Sequence, residues 1–421
     1  MAIRDRTRGA ALLTLLVGLS CTPAGEGRTV VVALFDGFAP AMVEAYETPN
    51  LDRMRAEGAW SHHLVPVFPT VSLPNHTSFT TGCLPASHGI VSNRFLDPAR
   101  GFYDHSGDAD WRVGCESLPE AAERQGVVSA SIWFPGDRSR ERGPLATHVQ
   151  ADIPFDQRPD DLETAAIAAA YLQRTGADRP RLVQVYLKGP DDAAHYNGLD
   201  SPETRAAVER SDAAIGVLLA AAEAAAGDVT VIVGTDHGMA PIDGIVNIPH
   251  ILRREGISAG YASSGASSYL YLTDPADRER AVAAFSSLPD LDAYPVDALP
   301  AYARVGMSAR VGDVLVVARP PRVIEDPEVF PKEMTEGIDP AVDWPAIVAS
   351  TRLRASHGYD PALPEMHGIL YAWGSGIAAG REVAEVSIVD IHPTVAHLLG
   401  IAPGSPVDGE VADGLLAPGP D

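Results

Sequence analysis

The stretch TVVVALFDG at residues 29–37 decides the fold class of this 421-residue chain. Residues 29–35 are all apolar or β-branched, without the polar alternation of a strand that faces water on one side. Such a run is typical of a parallel strand that is covered by helices on both faces. The run ends at Asp36, which places a carboxylate at the carboxyl end of a predicted central strand.

Similar runs recur along the chain and alternate with helical segments. The other predicted strands are residues 127–134, 181–187 and 228–235, and the predicted helices are residues 161–174, 202–226 and 388–399. This alternation predicts an α/β fold with a doubly wound, mostly parallel central sheet and helices on both faces. Ligands gather at the carboxyl ends of such strands, so we expect Asp36, Asp191 and Asp236 to converge there.

The chain is predicted to hold one catalytic domain over residues 28–402 and an irregular, proline- and glycine-rich tail at residues 403–421. The segment from about residue 250 to 345 has a different character, because prolines interrupt it and only two short runs resemble strands. We interpret it as an inserted, loop-rich subregion rather than an independent domain.

Residues 1–21 have the pattern of an export segment. Three arginines within residues 4–8 precede an apolar stretch at residues 10–19 that is too short to span a membrane. The pair Ser20-Cys21 resembles a bacterial lipoprotein processing site, which predicts a lipid anchor at Cys21 and a periplasmic or cell-surface protein. Ordinary cleavage with a freely secreted product is the alternative.

The composition excludes some classes of function. The chain is 46% hydrophobic, which suits a large core, and its net charge of -24 would repel the backbone of nucleic acid, so we expect no general nucleic-acid binding. Cys83 and Cys115 could pair in an exported protein, but sequence cannot place their Cα atoms, and a disulfide and free thiols both remain open.

Two polar residues have local settings that suit phosphate chemistry. Ser72 lies just before Pro74, which favours the first turn of a helix, and the free N–H groups at a helix start bind phosphate. Asn93 follows the sequence HGIVS, and its amide could stabilise a phosphate oxygen as charge develops. Taken singly, a helix-capping serine and a turn asparagine are the simpler interpretations.

Carboxylates and histidines form a second group of candidates. Asp191 and His195 are spaced i, i+4, which brings both side chains to one helix face; Asp192 is the alternative carboxylate. Asp236 and His237 follow a predicted strand directly, and both side chains are costly to bury unpaired.

His357, within SHGYD at residues 356–360, is a candidate third imidazole, with His367 as its alternative. A mixture of carboxylate oxygen and imidazole nitrogen is typical of divalent metal sites such as those of zinc. Two such ions about 4 Å apart can stabilise both the attacking and the leaving oxygen of a phosphoryl transfer.

Together these motifs make the chain resemble the type I phosphodiesterase/nucleotide pyrophosphatase family of the alkaline phosphatase superfamily. The resemblance covers roughly residues 28–402. It rests on five motifs in family order, which are residues 33–37, 68–93, 190–195, 235–239 and 357–360. It implies an alkaline phosphatase-like fold and a hydrolase that acts on phosphate esters.

The resemblance also implies a two-zinc site, with other divalent metals as alternatives. The matching ligands are Asp191, His195 and His357 for one ion, and Asp36, Asp236 and His237 for the other.

Ser72 matches the nucleophile, which also binds the second ion, where the family more often has threonine. Asn93 matches the amide that holds the phosphate, with the backbone N–H of Leu73 as its companion.

Three departures from the family pattern concern substrate choice. Leu73 stands where a phenylalanine often helps to stack a nucleotide base, Gly189 stands where a glutamate is common, and residues 133–136 only approximate the family's Trp-Pro-Gly. Tyr186 does match an aromatic position that could support a base. We therefore expect hydrolysis of phosphodiester or pyrophosphate bonds in nucleotides or other small esters, with weak preference among bases and slower turnover of monoesters.

Two alternatives stay open on the sequence. A phosphomonoesterase or phosphonate hydrolase could use the same scaffold, since the metal site would serve either kind of ester. An inactive, lipid-anchored binding protein is the alternative of a different class.

Overall fold

The computed structural model describes residues 27–150, 157–325, 337, 339–350 and 352–418, so the predicted export segment and Cys21 lie outside the described residues. The strands are β1 (Thr29–Phe35), β2 (Ala59–Val65), β3 (Arg94–Asp97), β4 (Gly101–Asp104), β5 (Ser129–Ile132), β6 (Arg138–Ser139), β7 (Gly143–Pro144), β8 (His148–Val149), β9 (Leu182–Leu187), β10 (Val229–Thr235), β11 (Ala240–Pro241), β12 (Gly244–Val246), β13 (Ala259–Ser264), β14 (Ser267–Leu272), β15 (Leu291–Pro295), β16 (Val314–Ala318), β17 (Arg322–Val323), β18 (Ile347–Ala349), β19 (Ala355–Ser356), β20 (Gly368–Gly374), β21 (Arg381–Glu382) and β22 (Val386–Ser387).

The helices alternate with these strands over most of the chain. They are α1 (Pro40–Ala45), α2 (Pro49–Glu57), α3 (Ser72–Thr81), α4 (Pro85–His88), α5 (Leu118–Arg124), α6 (Asp161–Leu172), α7 (Asp191–Asn197), α8 (Pro202–Ala224), α9 (Ile248–Arg254), α10 (Arg278–Ser286), α11 (Pro340–Asp343) and α12 (Ile391–Leu399).

The central sheet holds nine strands within the described ranges, in the order β21-β2-β20-β10-β1-β9-β5-β8, with β22 beside β2. β1 runs parallel to both β10 and β9, and β5 runs parallel to both β9 and β8. β20 runs antiparallel to β10 and to β2. The sheet is therefore mostly parallel and central to the fold, which confirms the predicted fold class.

The two faces of β1 pack in two different hydrophobic clusters. Val31, Ala33 and Phe35 pack in a cluster with side chains of α1, α2, α6 and α8. Val30, Val32 and Leu34 pack in a second cluster with side chains of α3, α5 and α12. Because both faces are covered by helices, every position of β1 is apolar or β-branched.

The predicted elements are present with shorter ends. The strand predicted at residues 127–134 is β5, and Trp133 just after it has a left-handed backbone with φ of 56°. The helices predicted at residues 161–174 and 202–226 end at Leu172 and Ala224.

The inserted segment is more ordered than the loop-rich character predicted for it. It contains a four-stranded antiparallel sheet in the order β13-β14-β16-β15. Side chains of this sheet and of α9 and α10, including Leu270, Phe285 and Val316, form a third hydrophobic cluster. Its strands are short and separated by turns, so their pairing was not visible in the sequence.

Two further features concern the cysteines, whose pairing the sequence left open, and the tail. Cys83 and Cys115 form a disulfide, with their Cα atoms 6.5 Å apart. The tail is irregular over its described part, to residue 418, apart from a short turn at Asp413–Leu415, and Leu415 is fully buried. Among the described helices, none combines the length and the apolar character needed to cross a membrane.

Candidate active site

Three aspartates mark the carboxyl end of the central sheet. Asp36 follows the last residue of β1, Asp236 follows the last residue of β10, and Asp191 begins α7 shortly after β9. Because β1 ends in register with both β9 and β10, the three strands finish at the same level. The topology thus brings together residues that are two hundred positions apart, as the sequence predicted.

The first cluster consists of Asp191, His195 and His357, whose candidate ligand atoms all lie within 4.8 Å of one another. Nε2 of His195 is 3.5 Å from Oδ2 of Asp191. Nε2 of His357 is 3.1 Å from Nε2 of His195 and 3.8 Å from Oδ1 of Asp191. Of the alternatives, Asp192 is exposed and His367 hydrogen-bonds elsewhere, so neither joins this cluster.

The second cluster consists of Asp36, Asp236, His237 and His76. Nε2 of His237 lies 3.4 Å from Oδ1 of Asp36 and 3.4 Å from Oδ2 of Asp236. Nε2 of His76 lies 2.8 Å from Oδ2 of Asp236 and 3.8 Å from Oδ2 of Asp36. The two clusters adjoin, because the rings of His237 and His357 stack with their centroids 3.6 Å apart.

Backbone carbonyls orient three of the imidazoles. The Nδ1-to-carbonyl contacts are His195 with Ala355 at 2.8 Å, His357 with Thr70 at 2.8 Å, and His237 with Gly238 at 3.0 Å. A carbonyl oxygen only accepts hydrogen bonds, so each Nδ1 carries the proton and each Nε2 keeps its lone pair. The three lone pairs are therefore available to a metal, in the arrangement that second-sphere contacts give to ligating histidines.

Two glycines let the loops that carry the carboxylates pack closely. Gly37 has φ of +62°, and a Cβ there would lie 2.6 Å from Oδ1 of Asp191. Gly189 also has φ of +62°, and a Cβ there would lie 2.2 Å from the carbonyl oxygen of Asp36. The departure from the family pattern at Gly189 thus has a structural reason, since the backbone of Asp36 leaves no room for a side chain.

Burial changes the pKa values of both clusters. Burial raises the pKa of Asp236 to about 7, and burial with neighbouring carboxylates raises the pKa of Asp36 and of Asp191. Burial lowers the pKa of His237 to about 3 and that of His357 well below its ordinary value. Within the described residues, Oδ1 of Asp36 and Oδ1 of Asp191 are buried without a hydrogen-bond partner. These carboxylates and neutral imidazoles are the donor set that suits divalent cations, which would offset the cost of burying the charge.

Ser72 is the first residue of α3, as predicted. Val71 occupies the N-cap position, so the serine hydroxyl does not serve as the cap. Its Oγ lies 3.5 Å from Nε2 of His237. The simpler interpretation of Ser72 as a helix-capping residue is therefore wrong.

The neighbouring hydroxyl groups are engaged elsewhere. The hydroxyl of Thr70 donates to the carbonyl oxygen of Tyr359 at 3.2 Å and accepts from the N–H of Gly358 at 2.9 Å. Oγ of Ser78 is 3.0 Å from Nε2 of His88. Thr70 and Ser78 are both fully buried, so of these three hydroxyls Ser72 is the one beside the clusters.

Asn93 and Leu73 are arranged differently from the prediction. The backbone N–H of Leu73 donates to Oδ1 of Asn93 at 2.7 Å. The expected arrangement, in which this N–H and the amide donate together to one phosphate oxygen, is not the arrangement in this structure. The hydrogen bond fixes the amide so that Nδ2 is the donor left for a ligand.

Ser72 and members of both clusters line one cavity of about 780 Å³; the cluster members that line it are Asp36, His76, Asp191, His195 and His357. Its wall also includes Leu73, Asn93, His105, Arg94, Arg158, Tyr186 and Arg352. The last two residues of β13, Ser263 and Ser264, also line the cavity, so the inserted segment forms part of it.

The residues predicted to support a base are mostly covered. Tyr186 is 3% exposed, its hydroxyl donates to Oδ2 of Asp36 at 2.6 Å, and the guanidinium of Arg158 lies 5.4 Å from its ring centroid. The contact that the structure gives Tyr186 is thus support of a carboxylate, and a stacking role stays a prediction. Leu73 is 8% exposed and packs among Phe68 and other apolar side chains.

Two features of the site were missed from the sequence. His76 lies four residues after Ser72 on α3, and that spacing places both on one helix face, so the signal was present. Arg158 and Arg352 lie outside the five motifs, and no local pattern indicated that they line the cavity.

Comparison with known proteins decides the family. The family model for type I phosphodiesterase / nucleotide pyrophosphatase matches residues 30–360. The chain belongs to this family. A Schizosaccharomyces pombe relative, named an uncharacterized pyrophosphatase/phosphodiesterase, is 27% identical over 413 residues, which cover 90% of this chain and 78% of that protein. A bis(5'-adenosyl)-triphosphatase of Mus musculus is 24% identical over 389 residues, which cover 89% of this chain and 78% of that protein.

A solved structure of murine ectonucleotide pyrophosphatase/phosphodiesterase 5 has the same fold. It superposes with a TM-score of 0.78 at 23% identity and covers 93% of this chain and 100% of that chain. That structure is of an inactive variant, with a threonine replaced by alanine, in complex with AMP. Membership of the family makes this phosphodiesterase/nucleotide pyrophosphatase a hydrolase of phosphodiester bonds, and the family is metal-dependent.

Proposed function

We propose that this phosphodiesterase hydrolyses phosphodiester or pyrophosphate bonds of nucleotides and similar small esters through a covalent intermediate on Ser72. The observation that carries the proposal is the position of the Ser72 hydroxyl, which lies at a helix N-terminus and beside two adjoining clusters of aspartate and histidine. A nucleophile, an anion-binding helix end and two candidate cation sites then share one cavity.

The two clusters would hold two divalent cations, and zinc suits their donors. Asp191, His195 and His357 would hold one ion. Asp36, Asp236 and His237, whose contacts are 3.4 Å, would hold the other. When bound, such ions lower the pKa of coordinated hydroxyl groups and stabilise negative charge on phosphate oxygens. The Nδ1 contacts described above keep the imidazoles fixed for this task.

The chain's own groups perform the displacement in two steps. Ser72 loses its proton to solvent, its Oγ forms a bond to phosphorus, and the bond from phosphorus to the leaving oxygen breaks. Water then attacks the same phosphorus, the bond to Oγ breaks, and Ser72 regains a proton. Nδ2 of Asn93 and the backbone N–H of Ser72 at the start of α3 would donate to the phosphate oxygens throughout.

Nucleotides are the proposed substrates, because the murine relatives act on bis(5'-adenosyl) triphosphate or bind AMP. The test is a rate panel with p-nitrophenyl esters that differ only in the group retained on phosphorus: a nucleoside, a methyl group, or nothing. We expect the enzyme to hydrolyse both diesters and to release p-nitrophenol more slowly from p-nitrophenyl phosphate. Faster release from the monoester would favour the phosphomonoesterase alternative.

That alternative has one specific observation in its favour. A monoester carries an additional negative charge that needs a compensating cation, and Arg158 and Arg352 line the cavity, along with the acidic Asp192 and Glu325. The sequence motifs alone gave less reason to expect such cations. The panel therefore tests whether the cavity accepts the additional charge of a monoester.

Leu73→Phe is expected to lower KM for the nucleoside ester by roughly fivefold, since stacking on an aromatic face contributes about 1–3 kcal/mol per base. Leu73 lines the cavity but has only an aliphatic side chain. KM for methyl p-nitrophenyl phosphate, which has no base, should change much less. Equal changes for both esters would contradict a role of this position in base recognition.

We also propose that the protein is exported and anchored by a lipid at Cys21. The basic and apolar start of the chain and the processing-site pattern support this, and the disulfide between Cys83 and Cys115 suits an oxidising compartment.

Cys21→Ala is expected to move the protein from the membrane fraction to the soluble exported fraction, with unchanged specific activity, because several acyl chains hold a protein at a membrane firmly. Cell fractionation with immunoblotting measures this. Wild-type protein that is entirely soluble outside the cytoplasm would exclude the anchor and favour simple secretion.

A further inference from the structure

His105 is a cavity residue that the reaction described above does not use. It follows β4 directly and lines the same cavity as Ser72 and Asn93. Its backbone is left-handed, with φ of 46°, and its N–H donates to the carbonyl oxygen of Asn93 at 2.9 Å. Left-handed residues other than glycine are uncommon, and they concentrate at functional sites where the surrounding structure holds them.

The imidazole of His105 is held by its neighbour. Nδ1 lies 2.6 Å from Oδ1 of Asp104, and Nε of Arg94 lies 3.2 Å from the same carboxylate oxygen. An ionised carboxylate only accepts hydrogen bonds, so Nδ1 carries the proton that is donated to Asp104. In the neutral ring Nε2 is then an acceptor, and it makes no hydrogen bond to the described residues.

The position of His105 relates it to one side of the reaction. Its backbone N–H donates to the carbonyl oxygen of Asn93, and the side chain of Asn93 accepts a hydrogen bond from the N–H of Leu73 at the start of α3. The leaving group departs opposite to the attacking Oγ of Ser72, whereas the groups held beside Asn93 stay on phosphorus. His105 therefore lies on the Asn93 side of the cavity, the side that we assign to the retained part of the ester.

We propose that Nε2 of His105 accepts a hydrogen bond from a hydroxyl group on the retained part of the ester, such as a ribose hydroxyl. The inference rests on the proposed function, because it takes Ser72 as the nucleophile. Asp104 fixes the tautomer that accepts, and the His105 side chain, which is 54% exposed, lines the cavity. His105 would thus select hydroxyl-bearing esters over esters whose retained group has no donor.

The test compares two substrates with one leaving group: the p-nitrophenyl esters of adenosine 5'-monophosphate and of its 2',3'-dideoxy analogue. His105→Gly suits the left-handed backbone, so it removes the ring without adding strain. This variant should raise KM for the adenosine ester by about 3- to 10-fold, which is the range for one lost hydrogen bond. KM for the dideoxy ester should change by less than about twofold. His105→Asn, which tolerates the same backbone and keeps an acceptor, should restore part of the loss.

The matched control is His397→Ala, which alters an exposed histidine on α12 and should change neither substrate. An equal increase in KM for both esters with His105→Gly would overturn the inference, because it would mean that the ring only supports the loop. Wild-type enzyme that treats both esters alike would also overturn it. Failure of the wild type to hydrolyse either ester would instead refute the proposed function.

Discussion

Ser72→Ala is expected to lower kcat/KM for a nitrophenyl nucleotide diester by roughly 10³-fold or more, which is the scale of losing a nucleophile. The reason is that the Ser72 hydroxyl lies beside the clusters, 3.5 Å from Nε2 of His237, whereas the nearby hydroxyls of Thr70 and Ser78 are buried in other hydrogen bonds. Steady-state rates under saturating zinc measure the effect.

Three companion variants keep this prediction falsifiable. Ser72→Thr keeps a hydroxyl at the same position and should keep much of the activity. Thr70→Val and Ser78→Ala remove hydroxyls of the same segment, so any loss they cause should appear in stability more than in rate. An active Ser72→Ala variant together with an inactive Thr70→Val variant would show that the motif has been assigned to the wrong register.

The burial of the central sheet on both faces could be predicted from β1, and the fold class from the alternation of strands and helices along the chain. A strand that is apolar or β-branched at every position must be covered on both faces, and the structure covers it with two separate helical cores. The inserted segment was predicted less well, because β13 and β16 are paired through β14 in an antiparallel sheet whose contacts are set by tertiary packing rather than by a long periodic pattern.

The site also contains residues that the sequence predicted and residues that it did not. Residues within motifs, such as Asp236 and His357, were predicted because a local pattern accompanies them. The arginines at the cavity wall could not be predicted, since Arg158 and Arg352 reach it only through the path of the chain. The bond between the N–H of Leu73 and Asn93 depends on the relative position of a helix start and a turn, which no sequence spacing fixes.

Asp236→Asn is expected to remove at least one of two bound divalent ions and to lower kcat/KM by more than about 100-fold, since losing even an outer contact of a metal ligand costs 10- to 100-fold. The fold should survive the change. Oδ1 of Asp236 accepts from the N–H groups of Gly37 at 3.1 Å and His237 at 2.9 Å, and an amide oxygen can keep both bonds. The new Nδ2 would face Nε2 of His76, which lies 2.8 Å from the present Oδ2.

Asp137→Asn is the matched control, because Asp137 is equally buried, burial raises its pKa also to about 7, and it hydrogen-bonds Gln184 rather than a cluster. Elemental analysis and thermal unfolding with and without zinc compare the two variants. Zinc should stabilise the wild type and Asp137→Asn, and stabilise Asp236→Asn much less. Without metal, Asp236→Asn should unfold at or above the wild-type temperature, because it removes a buried charge whose compensating cation is missing. Full metal content and activity in Asp236→Asn would refute the assignment of Asp236 as a ligand.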